Sequence, residues 1–290
     1  MKLVFIHGLS QEGKHIVQLQ QQWETALQKG LLSAGLTWPA GVHVIFPFYG
    51  DRLDELVKEL GAPLVEDVLL RGAEQDSFEA SFRGELLYEM AMNAGISDAE
   101  IQVYYGGKPQ EKGPQNWEWV QSILKALDKT LLGEAAIDAF TRNVYVYLTS
   151  KAVRKAIDGL VSSHLPEGPC VVVGHSLGSV VGYNVLSKTA SNVRVIQYVT
   201  VGSPLGLKSI KRQLDTPLAM PSCAKAWYNA MDERDVVALH SLDSKNFPIE
   251  PPIENKTNVK NHTYNCHGIV GYLDDPDVAH SIYSSLMDPS

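Results

Sequence analysis

The 290-residue chain has little cysteine, no long hydrophobic run and no basic tract, and each shortage removes a class of function. Cys170, Cys223 and Cys266 are an odd number of cysteines, widely spaced and without a CxxC pair. A disulfide scaffold is therefore not expected, and the count fits a reducing compartment. Cys170 opens an apolar run and reads as a small core residue. Cys266 stands beside a histidine, His267, so a functional role there is the alternative. No stretch approaches the roughly 20 apolar residues needed to span a bilayer. The opening run MKLVFIHG is too short for a signal-peptide core and no small-residue cleavage site follows it. The expectation is a cytoplasmic protein whose first residues already form a core strand.

Positive charge is also scarce. The formal net charge is −8, and Lys208, Lys211 and Arg212 make only a short cluster, read as one solvated helix face. Nucleic acid is not expected as a partner. A GxGxxG loop after the first strand is missing, which removes support for nucleotide binding. His7, His262 and His267 form no HxxxH pair and no carboxylate falls at a ligand spacing, so neither metal nor cofactor is expected.

What is present is a packed α/β pattern. Hydrophobic residues make up 44% of the chain, enough for a core and too many for disorder. Buried-strand runs fall at residues 3–6, 42–46, 171–173, 193–201 and 224–229, with a weaker sixth at 257–262. Helical periodicity falls between them, at residues 16–32, 152–164, 178–189 and 278–287. Strands alternating with helices predict a mainly parallel sheet of about six strands, covered on both faces. Residues 51–150 break the alternation. They hold helical patterns at 53–60, 78–92, 117–132 and 135–148, punctuated by Gly106-Gly107-Lys108-Pro109 and Gly113-Pro114. The expected organisation is a core of residues 1–50 and 151–290 with a helical cap at 51–150. The alternative is that these helices thicken one face of the sheet.

The strongest local signal is Cys170-Val171-Val172-Val173-Gly174-His175-Ser176-Leu177-Gly178-Ser179-Val180-Val181. It is G-x-S-x-G with a buried strand before it and an apolar helix after it. A nucleophilic serine on so tight a turn needs glycine two positions to either side, where side chains would collide. The following helix aims its N-terminus at the site and favours negative charge there. His175 is a poor general base, because a neighbour on this turn projects away from the serine oxygen.

Gly174-His175-Ser176-Leu177-Gly178 resembles the nucleophile elbow of lipases and esterases of the α/β-hydrolase superfamily. Phe5-Ile6-His7-Gly8-Leu9 resembles the strand and oxyanion loop of that family, and Gly202-Ser203-Pro204-Leu205 the loop after its next core strand. The resemblance covers the sheet-forming parts and leaves 51–150 unassigned. It implies an α/β-hydrolase fold and a serine hydrolase acting on a carboxylic ester through an acyl-serine, without a cofactor. It also implies two backbone oxyanion donors, Leu177 and Leu9, with Ser10 the alternative to Leu9.

In this fold the triad order is Ser, then Asp or Glu, then His. The acid is expected in Met231-Asp232-Glu233-Arg234-Asp235-Val236-Val237, where Asp235 fits the family's Asp-x-Val pattern. Asp232 fits a shorter acid loop, and whichever is not the acid serves as turn former or partner of Arg234. The base is expected at His267, in a His-Gly-Ile-Val-Gly segment resembling the family's terminal one, with His262 the alternative. Gly268 and Gly271 are expected to let the ring approach the serine. His280 lies in the last helix, and His240 sits too close to the acid loop.

The expected substrate is a small-molecule or acyl ester. A thioesterase, amidase or phospholipase would use the same residues, and a ligand-binding protein on a hydrolase scaffold is the rival from another class. Membrane contact through Tyr104, Tyr105, Trp117 and Trp119 is less favoured, since aromatic residues at helical spacing are more often core. Nothing in the sequence sets an oligomeric state.

Overall fold

Leu3, Val4, Phe5 and Ile6 are all shut off from solvent, because their strand is covered on both faces. In the computed structural model, which describes residues 1–61, 64–65, 77–106, 113, 116–128, 133–189 and 192–288, that strand lies inside an all-parallel six-stranded sheet. The strands are β1 Lys2–Ile6, β2 His43–Ile45, β3 Gly168–His175, β4 Val193–Val201, β5 Trp227–Ala230 and β6 Glu254–Lys256, in the spatial order β2-β1-β3-β4-β5-β6. Alternate side chains feed two cores. Leu3 and Phe5 join Val171 and Val173 against the helices α1 (Ile16–Ser33) and the last two, α10 (Val270–Leu273) and α11 (Pro276–Met287), which follow the one-turn α9 (Lys208–Lys211). Val4 and Ile6 join Cys170 and Val172 on the opposite face.

The chain runs from β1 outward to β2, then returns past β1 to β3 and continues the other way. The strand order therefore reverses between β1 and β3. In open parallel sheets the crevice at the carboxyl ends of such a pair is where ligands bind. His7-Gly8-Leu9 follows β1 and Ser176 follows β3, so both segments open on that crevice.

Among the described residues of 51–150 there is no strand. The helices are α2 (Gly50–Glu59), α3 (Ser77–Asn93), α4 (Asp98–Tyr104), α5 (Trp117–Leu127) and α6 (Glu134–Thr149), leading into α7 (Lys151–His164) before β3. The insert does two things at once. α2 and α6 pack on α7, and one continuous apolar cluster runs from Val4 and Val172 to Leu87, Ile123 and Val144. The same insert reaches the crevice, where Met90 of α3 and Phe140 of α6 help wall a cavity. Its inner anchor is Arg83, whose fully buried guanidinium pairs with Glu79 one turn away and with Asp138 of α6, and lies 5.2 Å over the Trp117 ring. Removing one member of such a buried set strands the others' charge and costs about 3–5 kcal/mol.

Several elements differ from their sequence-based positions. The sixth strand is β6 at Glu254–Lys256, before the expected 257–262. β5 ends at Ala230, opposite Lys256, so no strand edge remains for a longer ladder. Residues 257–262 instead brace the loop after β5, with Val259 N–H donating to Met231 C=O. The fifth strand starts at Trp227 rather than 224, because Ala224 makes only an isolated bridge to Val195. The helix predicted over 117–132 ends at Leu127, and residues 129–132 lie outside the described residues. Of the glycine and proline punctuation, only Gly106 and Gly113 lie within them. α4 was not anticipated, being seven residues long, yet Ser97 and Glu100 form a capping box that marks its start. Tyr105, Trp117 and Trp119 are buried, which leaves Tyr104 as the one surface aromatic of those four. No helix among the described residues is long and apolar enough to cross a membrane.

Candidate active site

Ser176 occupies the step between β3 and the helix α8 (Leu177–Ser187), with φ 54° and ψ −129°. An L-residue is held in this left-handed region only where the surroundings over-determine it. Here the surroundings are a close approach of backbones. A Cβ on Gly174 would lie 2.8 Å from Ser179 Cα, and one on Gly178 would lie 2.2 Å from Ile6 C=O. Ser176 N–H donates to Val201 C=O at 3.2 Å, tying the turn to β4. The outcome is a serine raised at the start of a helix. As first residue of that helix, Leu177 has an N–H with no partner inside the helix.

His267 and Asp235 complete a continuous chain of hydrogen bonds. Ser176 Oγ lies 2.9 Å from His267 Nε2, and His267 Nδ1 lies 2.7 Å from Asp235 Oδ2. Asp235 is fully buried, and its charge is met by two further donors. Tyr272 O–H donates to Oδ2 at 2.6 Å and Val237 N–H to Oδ1 at 2.9 Å. Burial, reinforced by the Asp235 charge, raises the Tyr272 pKa well above the phenol range, so Tyr272 stays a donor. The carboxylate orients the imidazole with Nδ1 protonated and Nε2 open to accept from the serine.

The structure distinguishes the alternatives left by the sequence. The Asp232 carboxylate takes no part in the chain; only the residue's backbone N–H reaches it, donating to the Tyr272 hydroxyl oxygen at 3.3 Å. Asp232 Oδ1 accepts Arg234 N–H and Nε, and its Oδ2 accepts the Arg234 Nη2 at 2.6 Å and Asn261 N–H at 2.7 Å. Burial opposes its charge, but these bonds outweigh burial and hold its carboxyl below the usual range. His262 pairs with Asp274 at 2.6 Å on the surface, and His240 contacts Asn93 at 3.0 Å. Cys266 is buried and sits at φ 53°, forming the turn that precedes His267. Gly268 and Gly271 also leave room for side chains of the preceding segment. A Cβ on Gly268 would meet Thr263 at 2.7 Å, and one on Gly271 would meet Asn261 Oδ1 at 2.2 Å. They admit the side chains that clamp the loop, Asn261 to Gly268 C=O and Thr263 to Gly268 N–H.

Three contributions were not read from the sequence. Tyr272 is one; its place five residues after His267, on the short α10, was the available signal. His175 is another. Its Nε2 donates to His267 C=O at 2.7 Å, and the two rings lie 4.9 Å apart. Burial, with the neighbouring His267, keeps the His175 ring well below the usual imidazole range and so neutral. The third is His7, fully buried and bonded to both Gly8 and Tyr49.

Ser176 and His267 open into a cavity of about 320 Å³, at the lower end of ligand-pocket volumes. Leu19 and Trp23 of α1, Met90, Ile137 and Phe140 of the insert, and Val237 give it apolar walls. Leu9 lines the same cavity, and Gly8 lies so close to Ser176 that a Cβ there would be 2.8 Å from Ser176 Cβ. No protein-family model matches the chain, and comparison with the curated proteins finds no match.

Proposed function

We propose that this protein is an α/β-hydrolase-type serine hydrolase that cleaves carboxylic esters through an acyl-Ser176 intermediate. The observation that carries the reading is the unbroken Ser176–His267–Asp235 chain at the mouth of an apolar cavity. Ser176 Oγ attacks the ester carbonyl while His267 Nε2 takes its proton and then delivers it to the leaving alcohol. Asp235 keeps the imidazole in the productive tautomer and stabilises its cationic form. Leu177 N–H and Leu9 N–H receive the oxyanion, whose stabilisation by preorganised donors is commonly the largest catalytic effect. Water, activated by the same histidine, then releases the acid and restores Ser176. The apolar walls support an acyl group of modest length as the part of the substrate held inside.

The test is turnover of a short p-nitrophenyl ester and labelling by a fluorophosphonate, each compared with Ser176→Ala. The wild type should hydrolyse the ester and take the label, and the variant should do neither while melting cooperatively. A folded Ser176→Ala protein that still labels would refute Ser176 as nucleophile. A wild type that binds esters without hydrolysing them would favour the ligand-binding alternative.

A further inference from the structure

An oxyanion donor is only as good as the aim of its peptide plane. The plane carrying Leu9 N–H joins Gly8 to Leu9, and its carbonyl oxygen lies 2.7 Å from His7 Nδ1. The direction of that bond follows from the other side of the ring. His7 Nε2 lies 3.0 Å from the backbone N–H of Tyr49, which can only donate, so Nε2 is the acceptor. Burial pushes the His7 pKa down to about 4, leaving a neutral ring with one proton. That proton is on Nδ1 and is donated to Gly8 C=O.

The ring itself is locked in place. It stacks on Tyr49 at 4.1 Å and on Phe46 at 5.7 Å, and the Tyr49 hydroxyl donates to His7 C=O. In a planar trans peptide the C=O and N–H point in opposite directions. With Gly8 C=O turned onto His7, Leu9 N–H is turned away from it. The next plane is gripped as well, since Gln11 Nε2 donates to Leu9 C=O at 2.6 Å across the Ser10 turn at φ 58°.

We propose that His7 is a positioning residue for the oxyanion hole: held as its Nδ1–H tautomer by Tyr49, it turns the Gly8–Leu9 peptide so that Leu9 N–H faces the reacting carbonyl oxygen. The proposal rests on the serine-hydrolase reading above. His7 touches no reacting atom and transfers no proton. It works by fixing a dipole in advance, so that none has to reorient as negative charge develops. Tyr49 directly precedes α2, so the first helix of the insert and the oxyanion loop share one anchor.

Three variants test this, each first shown to melt cooperatively. His7→Phe keeps the stacking and donates nothing. His7→Gln places its amide where Nε2 was, and His7→Asn keeps an N–H near the Nδ1 position. The Phe and Gln variants should lose about 10²-fold in kcat on p-nitrophenyl butyrate with KM within about twofold, as expected of a group acting only on the transition state. The Asn variant should lose less than about tenfold, although it is smaller than Gln and leaves more empty space. Equal losses in Asn and Phe, or full kcat in Phe, would overturn the proposal. A readout on the wild type needs no variant to fold: ¹⁵N imidazole spectra should report Nδ1–H at His7, and an Nε2–H tautomer would overturn it. Failure of the underlying reading looks different, because the wild type would then hydrolyse no ester and take no label, and both proposals would fall together.

Discussion

Replacing Asp235 by asparagine is the sharpest perturbation of the proposed triad. The carboxylate accepts from His267 and Tyr272 on Oδ2 and from Val237 N–H on Oδ1. An amide has a single acceptor oxygen to cover both sides. If that oxygen stays on Val237 N–H, the NH₂ faces His267 and Tyr272. The Tyr272 hydroxyl, whose oxygen already accepts from Asp232 N–H at 3.3 Å, can rotate to accept a second bond. His267 must then present Nδ1 as an acceptor and carry its proton on Nε2, where it cannot take the proton of Ser176. If the amide is reversed, its NH₂ meets the Val237 N–H across 2.9 Å in a fully buried site. Leaving such a donor unsatisfied costs about 1–3 kcal/mol. The first arrangement wins, and the variant rests in the wrong tautomer for the proposed reaction. Triads that lose their carboxylate this way drop about 10⁴-fold in kcat, equivalent to about 5.5 kcal/mol of barrier. Asp232→Asn is the control, because every bond to that side chain goes to Arg234 or to Asn261 N–H. It should loosen the loop and cost less than about tenfold in kcat. Steady-state hydrolysis of a p-nitrophenyl ester, with melting curves for both variants, decides the matter. An Asp235→Asn protein within tenfold of the wild type, beside a crippled Asp232→Asn, would refute the reasoning.

Acid should destabilise the fold through its buried neutral histidines. His7 is depressed from its ordinary 6.5 to about 4, so between those values the unfolded chain binds a proton that the folded chain does not. The His7 contribution to stability is full above pH 6.5, falls by roughly 1.4 kcal/mol per pH unit down to about pH 4, about 3 kcal/mol in all, and levels off below. His175 acts with the same sign. Urea titrations from pH 7 to 4 should show this slope, and should show it flattened in His7→Phe; an unchanged slope in that variant would contradict the buried neutral ring. On the proposed function Phe140 bears on selectivity, since it walls the cavity from the insert side. Phe140→Ala should raise kcat/KM for acyl chains two or more carbons longer by about tenfold relative to the short ester, and an unmoved chain-length profile across p-nitrophenyl esters would mean the insert does not hold the acyl group.

The features legible in the sequence are those whose physics is local. A buried strand needs a continuous apolar run, so β1, β3 and β4 were visible, and a serine on a very tight turn needs Gly174 and Gly178 beside it. Partners distant along the chain were legible only as short sets of alternatives, Asp235 or Asp232 and His267 or His262. Local pattern cannot say which carboxylate is already occupied; that depends on Arg234 folding back onto Asp232 and on Asn261 arriving from 29 residues away. The roles of His7, His175 and Tyr272 are likewise tertiary, because each follows from which carbonyl, ring or carboxylate the fold sets against it. The sixth strand illustrates the same limit. Nothing inside 254–262 marks where pairing stops, since the ladder ends where its neighbour β5 ends, at Ala230. Sequence determined the elements whose stability comes from their own residues, and tertiary packing decided every choice that depends on what a side chain finds opposite it.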